Sequence, residues 1–137
     1  MTVAYIDGGS RGNPGPAGYG VRIEDAGGAL IAELRGTLGV ATNNVAEYRG
    51  LLAALTWALG HEVTELAIRS DSELLVKQMR GLYKVKNPGL RPLHREAVAL
   101  MQRLGRVTFH HVSRDLNVEA DRLANEAMDE AELPGSG

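Results

Sequence analysis

Residues 2–8 (TVAYIDG) open with β-branched and aromatic side chains and predict a strand. Val21-Arg22-Ile23-Glu24 alternates apolar with polar, Ala26-Gly27-Gly28 turns, and Leu30 to Leu38 alternates again. An antiparallel hairpin is therefore expected after the first strand. Between strand and hairpin, Gly8 to Gly20 holds six glycines together with Pro14 and Pro16 and reads as a turn-rich loop. The period then changes. Thr42-Asn43-Asn44 is a helix-start signal, Tyr48, Leu51, Leu52, Leu55 and Leu59 recur at helical spacing, and Gly60 closes the helix.

Residues 64–70 (TELAIRS) predict another strand, and Asp71-Ser72-Glu73 opens a second helix that runs to about Arg80. Asn87-Pro88-Gly89 breaks the chain, Leu93 to Leu104 predicts a third helix, and 106–112 (RVTFHHV) a fifth strand. Arg114 to Asn117 reads as a loop and Val118 to about Ala131 as the last helix. The order β-β-β-α-β-α-α-β-α predicts an α/β fold. Its sheet is mixed, antiparallel at one edge and parallel elsewhere, with helices on both faces. Residues 1–131 are expected to form a single domain, and 132–137, with Pro134-Gly135-Ser136-Gly137, a flexible tail or linker.

Composition narrows the function classes. The 137 residues are 44% hydrophobic and 23% charged, as expected for one ordinary domain with its own core. No cysteine is present, which excludes disulfide scaffolds, thiol nucleophiles and thiolate-held zinc. The start lacks a basic segment and a long apolar run, so no signal peptide, no membrane contact and a cytoplasmic setting are expected. The net charge of −2 argues against a nucleic-acid binder, but its distribution does not. Lys77, Arg80, Lys84, Lys86, Arg91 and Arg95 form a stretch of six basic residues with no acid among them. Such a stripe can track a phosphate backbone.

Four acids are candidates for chemistry, and each also has an ordinary explanation. Gly8-Gly9-Ser10-Arg11-Gly12 follows a strand, but a dinucleotide-binding fingerprint needs a helix directly after it, and a strand pattern follows instead. Asp7 sits in a strand, where aspartate is depleted, sharing a face with Val3 and Tyr5; alternatively it is a strand-end turn residue. Glu47 lies three residues after Asn44, as a capping-box glutamate would, but also on the stripe of Leu51, Leu55 and Ala58. Asp71 suits a helix start, but it also stands at the carboxyl end of a strand, where open α/β sheets place ligands. Asp121 lies one turn into the last helix, where it can serve the helix dipole. Jointly they fall at places that a sheet of this order can bring into one cleft. Clustered carboxylates repel and call for cations, and hard oxygen donors select Mg²⁺ or Mn²⁺. Two such ions about 4 Å apart serve in-line phosphoryl displacement.

Four segments in order carry a resemblance across nearly the whole chain. They are Tyr5-Ile6-Asp7-Gly8-Gly9-Ser10 with Gly12-Asn13, Thr42-Asn43-Asn44-Val45-Ala46-Glu47, Ser70-Asp71-Ser72, and Asn117-Val118-Glu119-Ala120-Asp121-Arg122-Leu123-Ala124. With them the sequence resembles type 1 ribonuclease H. The resemblance implies a five-stranded ribonuclease H-like sheet and an endonuclease that cuts the RNA strand of RNA–DNA hybrids, leaving 5′-phosphate and 3′-hydroxyl ends. It implies two Mg²⁺ ions with substrate bound, with Mn²⁺ as an alternative. Asp7 would bridge both ions, Asp121 would hold the one that activates water, and Glu47 and Asp71 the one that stabilises the leaving 3′-oxygen. Ser10, Gly12, Asn13, Asn43 and Glu47 match minor-groove positions that read 2′-hydroxyls or base edges, with Asn44 beside them. Thr42 matches a position that grips phosphate on the DNA strand. A monomer acting on hybrid is expected, with double-stranded RNA as a further candidate ligand.

Two departures from the family pattern bear on substrate binding. Many members carry a basic helical protrusion before the final strand, but Asp71 and Asp121 are only 50 positions apart and Leu82 to Pro92 is too short for it. The basic stripe with Tyr83, Lys84 and Lys86 is the candidate substitute. Many relatives also place a histidine in the loop before the last helix. Here that loop is Val112-Ser113-Arg114-Asp115-Leu116-Asn117, which makes Arg114 or Asn117 the candidate replacement, while the strand residues His110 and His111 read as structural. The alternatives are a non-catalytic hybrid or double-stranded RNA binding module, and another nuclease of the same fold. A binder gains only phosphate repulsion from four acids; setting them aside leaves 13 acidic against 15 basic residues, a charge of +2.

Overall fold

The computed structural model describes residues 1–133. Its elements are β1 (Thr2–Ser10), β2 (Gly15–Glu24), β3 (Leu30–Ala41), α1 (Asn43–Gly60), β4 (Glu65–Ser70), α2 (Glu73–Met79), α3 (Arg91–Leu104), β5 (Arg106–His111) and α4 (Val118–Glu132). One 3-10 turn, Arg114–Leu116, precedes α4. The five strands lie in the order β3-β2-β1-β4-β5. β1–β2 and β2–β3 are antiparallel, while β1–β4 and β4–β5 are parallel. This is the mixed sheet that three consecutive strands followed by strand–helix alternation predict.

Strand alternation decides what each face carries. On β1, Ala4 and Ile6 are buried on one face with Leu66 and Ile68 of β4 and Phe109 of β5. Against them pack Tyr48, Leu51, Leu55 and Ala58 of α1, Leu75 of α2, and Leu93 and Ala97 of α3. The opposite face of β1, β2 and β3 is covered by α4 through Ala120, Leu123, Ala124 and Ala127.

The stretch from Gly8 to Gly20 departs from the expected loop. β1 continues to Ser10 and β2 begins at Gly15, so only residues 11–14 turn. Gly9 pairs with Gly18 and Gly8 with Tyr19 inside the antiparallel ladder. Helix packing explains these glycines. A Cβ on Gly18 would lie 2.6 Å from the Ala127 Cβ, and one on Gly20 would lie 2.5 Å from the Leu123 Cβ, so α4 lies directly on bare backbone. Within the turn itself only Gly12 uses positive φ (+89°).

Three smaller boundaries also differ. The α1 N-cap is Thr42, whose hydroxyl accepts from the Val45 N–H at 3.2 Å. Glu47 therefore lies two residues beyond the position a capping-box glutamate occupies, and the cap explanation for it falls away. Gly60 is the last residue of α1 rather than its stop, and the positive φ beyond it (57°) belongs to Glu62. Of the expected tail, Glu132 is the last residue of α4 and Leu133 caps it; residues 134–137 lie outside the described residues. Among the described residues no helix is long and apolar enough to cross a membrane.

Candidate active site

The carboxyl ends of two neighbouring parallel strands set the centre of the site. Ile6 and Ser70 are the last paired residues of β1 and β4, so Asp7 and Asp71 follow side by side. Gly8 brings in the third acid. A Cβ there would lie 2.5 Å from the Glu47 backbone nitrogen, so only glycine lets the first turns of α1 approach β1 this closely. Gly20, paired with Asp7 across the ladder, does the same for α4, whose first turns carry Asp121.

Carboxylate oxygens of Asp7, Glu47 and Asp71 lie within 4.8 Å of one another. Asp121 lines the same cleft and lies near enough to Asp7 to raise its pKa. A cleft of about 370 Å³ joins all four with Gly8, Gly9, Asn43, Arg114, Asn125 and Met128. A larger groove of about 1130 Å³ lies between β3 and α1, away from the acids.

The electrostatics record the cost of this convergence. Burial is the main cause that pushes the Asp7 carboxyl up to about 8; Asp71, Asp121 and Glu47 add to it. Glu47 is pushed up to about 7, again mainly by burial, with Asp71 adding and the Ser72 hydroxyl opposing. Ser72 also caps α2, its oxygen accepting from the Leu75 N–H at 3.2 Å. None of the four acids forms an ion pair with a basic residue among the described residues. Unpaired hard oxygen donors held together at this spacing fit divalent cations.

The other expected contact residues separate into groups. Ser10, Asn13 and Asn43 form one cluster at the mouth of the cleft. The Asn43 side-chain oxygen accepts from the Ser10 N–H at 2.8 Å, and the Asn43 N–H donates to the Asn13 side chain at 3.1 Å. Gly12 lies in the turn between them, Asn44 is exposed on the first turn of α1, and the Thr42 oxygen is engaged in the cap. Arg114 lines the cleft and is exposed. Asn117 is 1% exposed and donates to the Ile6 carbonyl at 2.9 Å, tying the start of α4 to β1 next to Asp7.

Lys84 and Lys86 are exposed on the segment between α2 and α3, some way from the acids, and neither has a partner among the described residues. Within the basic stripe the Arg80 guanidinium donates to the Phe109 carbonyl and Lys77 pairs with Glu73 at 2.6 Å. His110 bonds Thr108, whereas the His111 ring lies 3.3 Å from the Asp71 carbonyl. The sequence did not show that Ser72 lies beside Glu47, that Asn125 lines the cleft, or what Gly8 and Gly20 do. For Asn125 the i,i+4 spacing from Asp121 was the available signal.

Comparison with known proteins adds four observations. A family model described as reverse transcriptase-like matches residues 5–127. The bifunctional protein Rv2228c of Mycobacterium tuberculosis is 52% identical over 130 residues, covering 94% of this chain but 36% of that protein, so the chain spans about a third of its length. RNase H1 from the halophilic archaeon Halobacterium salinarum matches with a TM-score of 0.90 and 42% identity, covering 94% of this chain and 98% of that one. LC11-RNase H1, solved in complex with an RNA/DNA hybrid, matches with a TM-score of 0.91 and 40% identity, covering 97% and 100%.

Proposed function

The chain belongs to the type 1 ribonuclease H family, and from that premise we propose that it hydrolyses the RNA strand of RNA–DNA hybrids, leaving 5′-phosphate and 3′-hydroxyl ends. The observation that carries this function is the meeting of Asp7, Glu47, Asp71 and Asp121 without a basic partner. Such a cluster costs stability in the resting protein and suits a cation-dependent reaction.

Asp7, Glu47, Asp71 and Asp121 hold two divalent cations, Mg²⁺ or Mn²⁺. When bound, these supply activation of the attacking water and charge stabilisation of the leaving 3′-oxygen. The protein's own groups provide the rest. Asp7 is the member of the cluster that the other three carboxylates all influence. The Ser72 hydroxyl, beside Glu47, partly opposes the rise of its carboxyl pKa. Ser10, Gly12, Asn13, Asn43 and Asn44 present donors and acceptors at the mouth of the cleft to the minor groove, where the 2′-hydroxyl distinguishes RNA from DNA. Thr42 keeps a hydroxyl hydrogen free to donate to a phosphate while its oxygen caps α1. Lys84 and Lys86 follow the phosphates further along the duplex. Arg114 stands at the cleft for the outgoing phosphate, and Asn117 sets the height of α4 against β1. The enzyme acts as a cytoplasmic monomer on hybrid, with double-stranded RNA as a second ligand.

Incubation of labelled RNA–DNA hybrid, double-stranded RNA and duplex DNA with the protein tests this, in Mg²⁺, in Mn²⁺ and in EDTA. Cutting confined to RNA strands and abolished by EDTA is expected. Binding of hybrid without cutting identifies a binding module instead. Cutting of duplex DNA identifies another nuclease of the fold.

A further inference from the structure

Arg11 lies in the short turn that carries Gly12 and Asn13, and its side chain reaches away from the cleft to α4. Its guanidinium meets Asp129 at 2.5 Å and Glu132 at 2.9 Å, and its second terminal nitrogen lies 3.4 Å from the Asn125 side-chain oxygen. Asn125 in turn donates to the Asp121 carbonyl at 2.9 Å. Asp121, Asn125 and Asp129 are spaced i, i+4, i+8 and therefore share one face of α4. One stripe of the helix thus carries a candidate cation ligand at its start and the anchor of the turn at its end.

From the other side α1 holds the turn through Asn43 to Ser10 and Asn13, and the Arg11 N–H donates to the Pro16 carbonyl at 2.9 Å within the hairpin. Two residues of α4 neutralise a single guanidinium, which leaves Arg11 with little capacity for a phosphate. We infer that Arg11 is a positioning residue. By clamping the 11–14 turn to α4, it sets the register between the groups that face the minor groove and the acid cluster. The inference rests on the hybrid-cutting function proposed above and deepens it by naming what orients the recognition turn.

Positioning and direct phosphate contact predict opposite signs for the same variant, so steady-state kinetics on the hybrid separates them. Arg11→Ala raises KM about fivefold with kcat within about twofold, as expected for the loss of two partly exposed pairs. Asp129→Asn with Glu132→Gln, which leaves Arg11 in place, raises KM to a similar extent. Combining all three substitutions is no worse than either change alone, because both remove one interaction. Arg11→Lys, which keeps a charge for Asp129, restores part of the loss.

If Arg11 instead gripped phosphate, the Asp129→Asn/Glu132→Gln protein would bind hybrid more tightly, since its arginine is freed and two negative charges are gone. A lowered KM there, additive effects, or a fall in kcat matching the rise in KM overturns the inference. Melting curves of each variant confirm that the fold is intact. Failure of the wild-type protein to cut hybrid overturns the functional proposal, and this inference with it. Normal cutting with any of the contrary variant patterns overturns the inference alone.

Discussion

Acidic residues occupy two regions of this molecule in opposite ways. On the outer face of β2, β3 and α4, every acid of the network is matched. Arg22 pairs with Glu24 at 2.7 Å and approaches Glu119 at 3.6 Å, Arg122 joins Glu33, Glu119 and Glu126, and Arg35 joins Glu126 and Glu130. In the cleft, four acids meet with no such match. The first arrangement holds the Glu126 carboxyl below its usual range, chiefly through Arg122, while in the second burial, with neighbouring carboxylates adding, pushes Asp7 and Glu47 far above theirs. Three arginines serve the acids of this network, whereas Arg114, which lines the cleft, forms no ion pair with any of the four acids. The difference sets the cleft, as the candidate site, apart from the network of matched charges.

The sharpest way to break the comparison is Asp7→Asn. Turnover on hybrid falls about a thousandfold or more, equivalent to ~4 kcal/mol of barrier, while the metal-free protein melts higher at pH 8 because the cost of ionising a buried carboxyl beside other carboxylates is gone. Initial rates and a melting curve check both halves. A variant that keeps its activity dissolves the distinction between the regions.

A pH series on the metal-free protein probes the same contrast without mutation. Asp7 and Glu47 titrate higher in the folded chain, about 8 and 7, than their ordinary 3.8 and 4.5. Their contribution to stability is therefore fully present below about pH 4 and is lost as pH rises through 7 and 8. Denaturant titrations from pH 5 to pH 9 should show falling stability, and Asp7→Asn should flatten the slope.

Smaller effects are expected where charge is matched or free in solvent. Removing charge at Lys84, Lys86 and Arg91 raises KM on hybrid several-fold and lessens its salt dependence, with kcat kept; kinetics at two salt concentrations read it out. An unchanged KM makes the stripe an ordinary solvated surface. Arg122→Ala lowers Tm by no more than about 4 °C and leaves turnover alone, because Arg22 and Arg35 still meet its partners. The drop should shrink in high salt.

The same contrast shows what was legible in the sequence. β4, β5 and the four helices lay between clear stop and start residues, and their periods were unambiguous, so their places came out nearly as expected. The four acids were legible as a set because each falls at an element end that this topology gathers. The glycine stretch was not. In a sequence, glycine marks a turn or a close approach with the same letter, and only the register of Gly9 with Gly18 and the seating of α4 on Gly18 and Gly20 distinguish them. The capping of α1 by Thr42 rather than Asn44 turned on a choice among three adjacent polar residues, and it is what releases Glu47 to the cleft. Asn117 looked like a loop contact and lies buried, since its partner is the Ile6 carbonyl 111 positions earlier. The ties from Arg11 to α4 span the whole chain and leave no local trace.

The most direct test is a Mn²⁺ titration of the purified protein at pH 8, followed by thermal unfolding, on the wild type and on Asp7→Asn. If the cluster grips cations, the wild-type Tm climbs with Mn²⁺ concentration along a binding isotherm and the variant, already higher without metal, barely responds. Equal shifts in the two proteins, or none in either, would contradict the claim that these carboxylates bind divalent ions together.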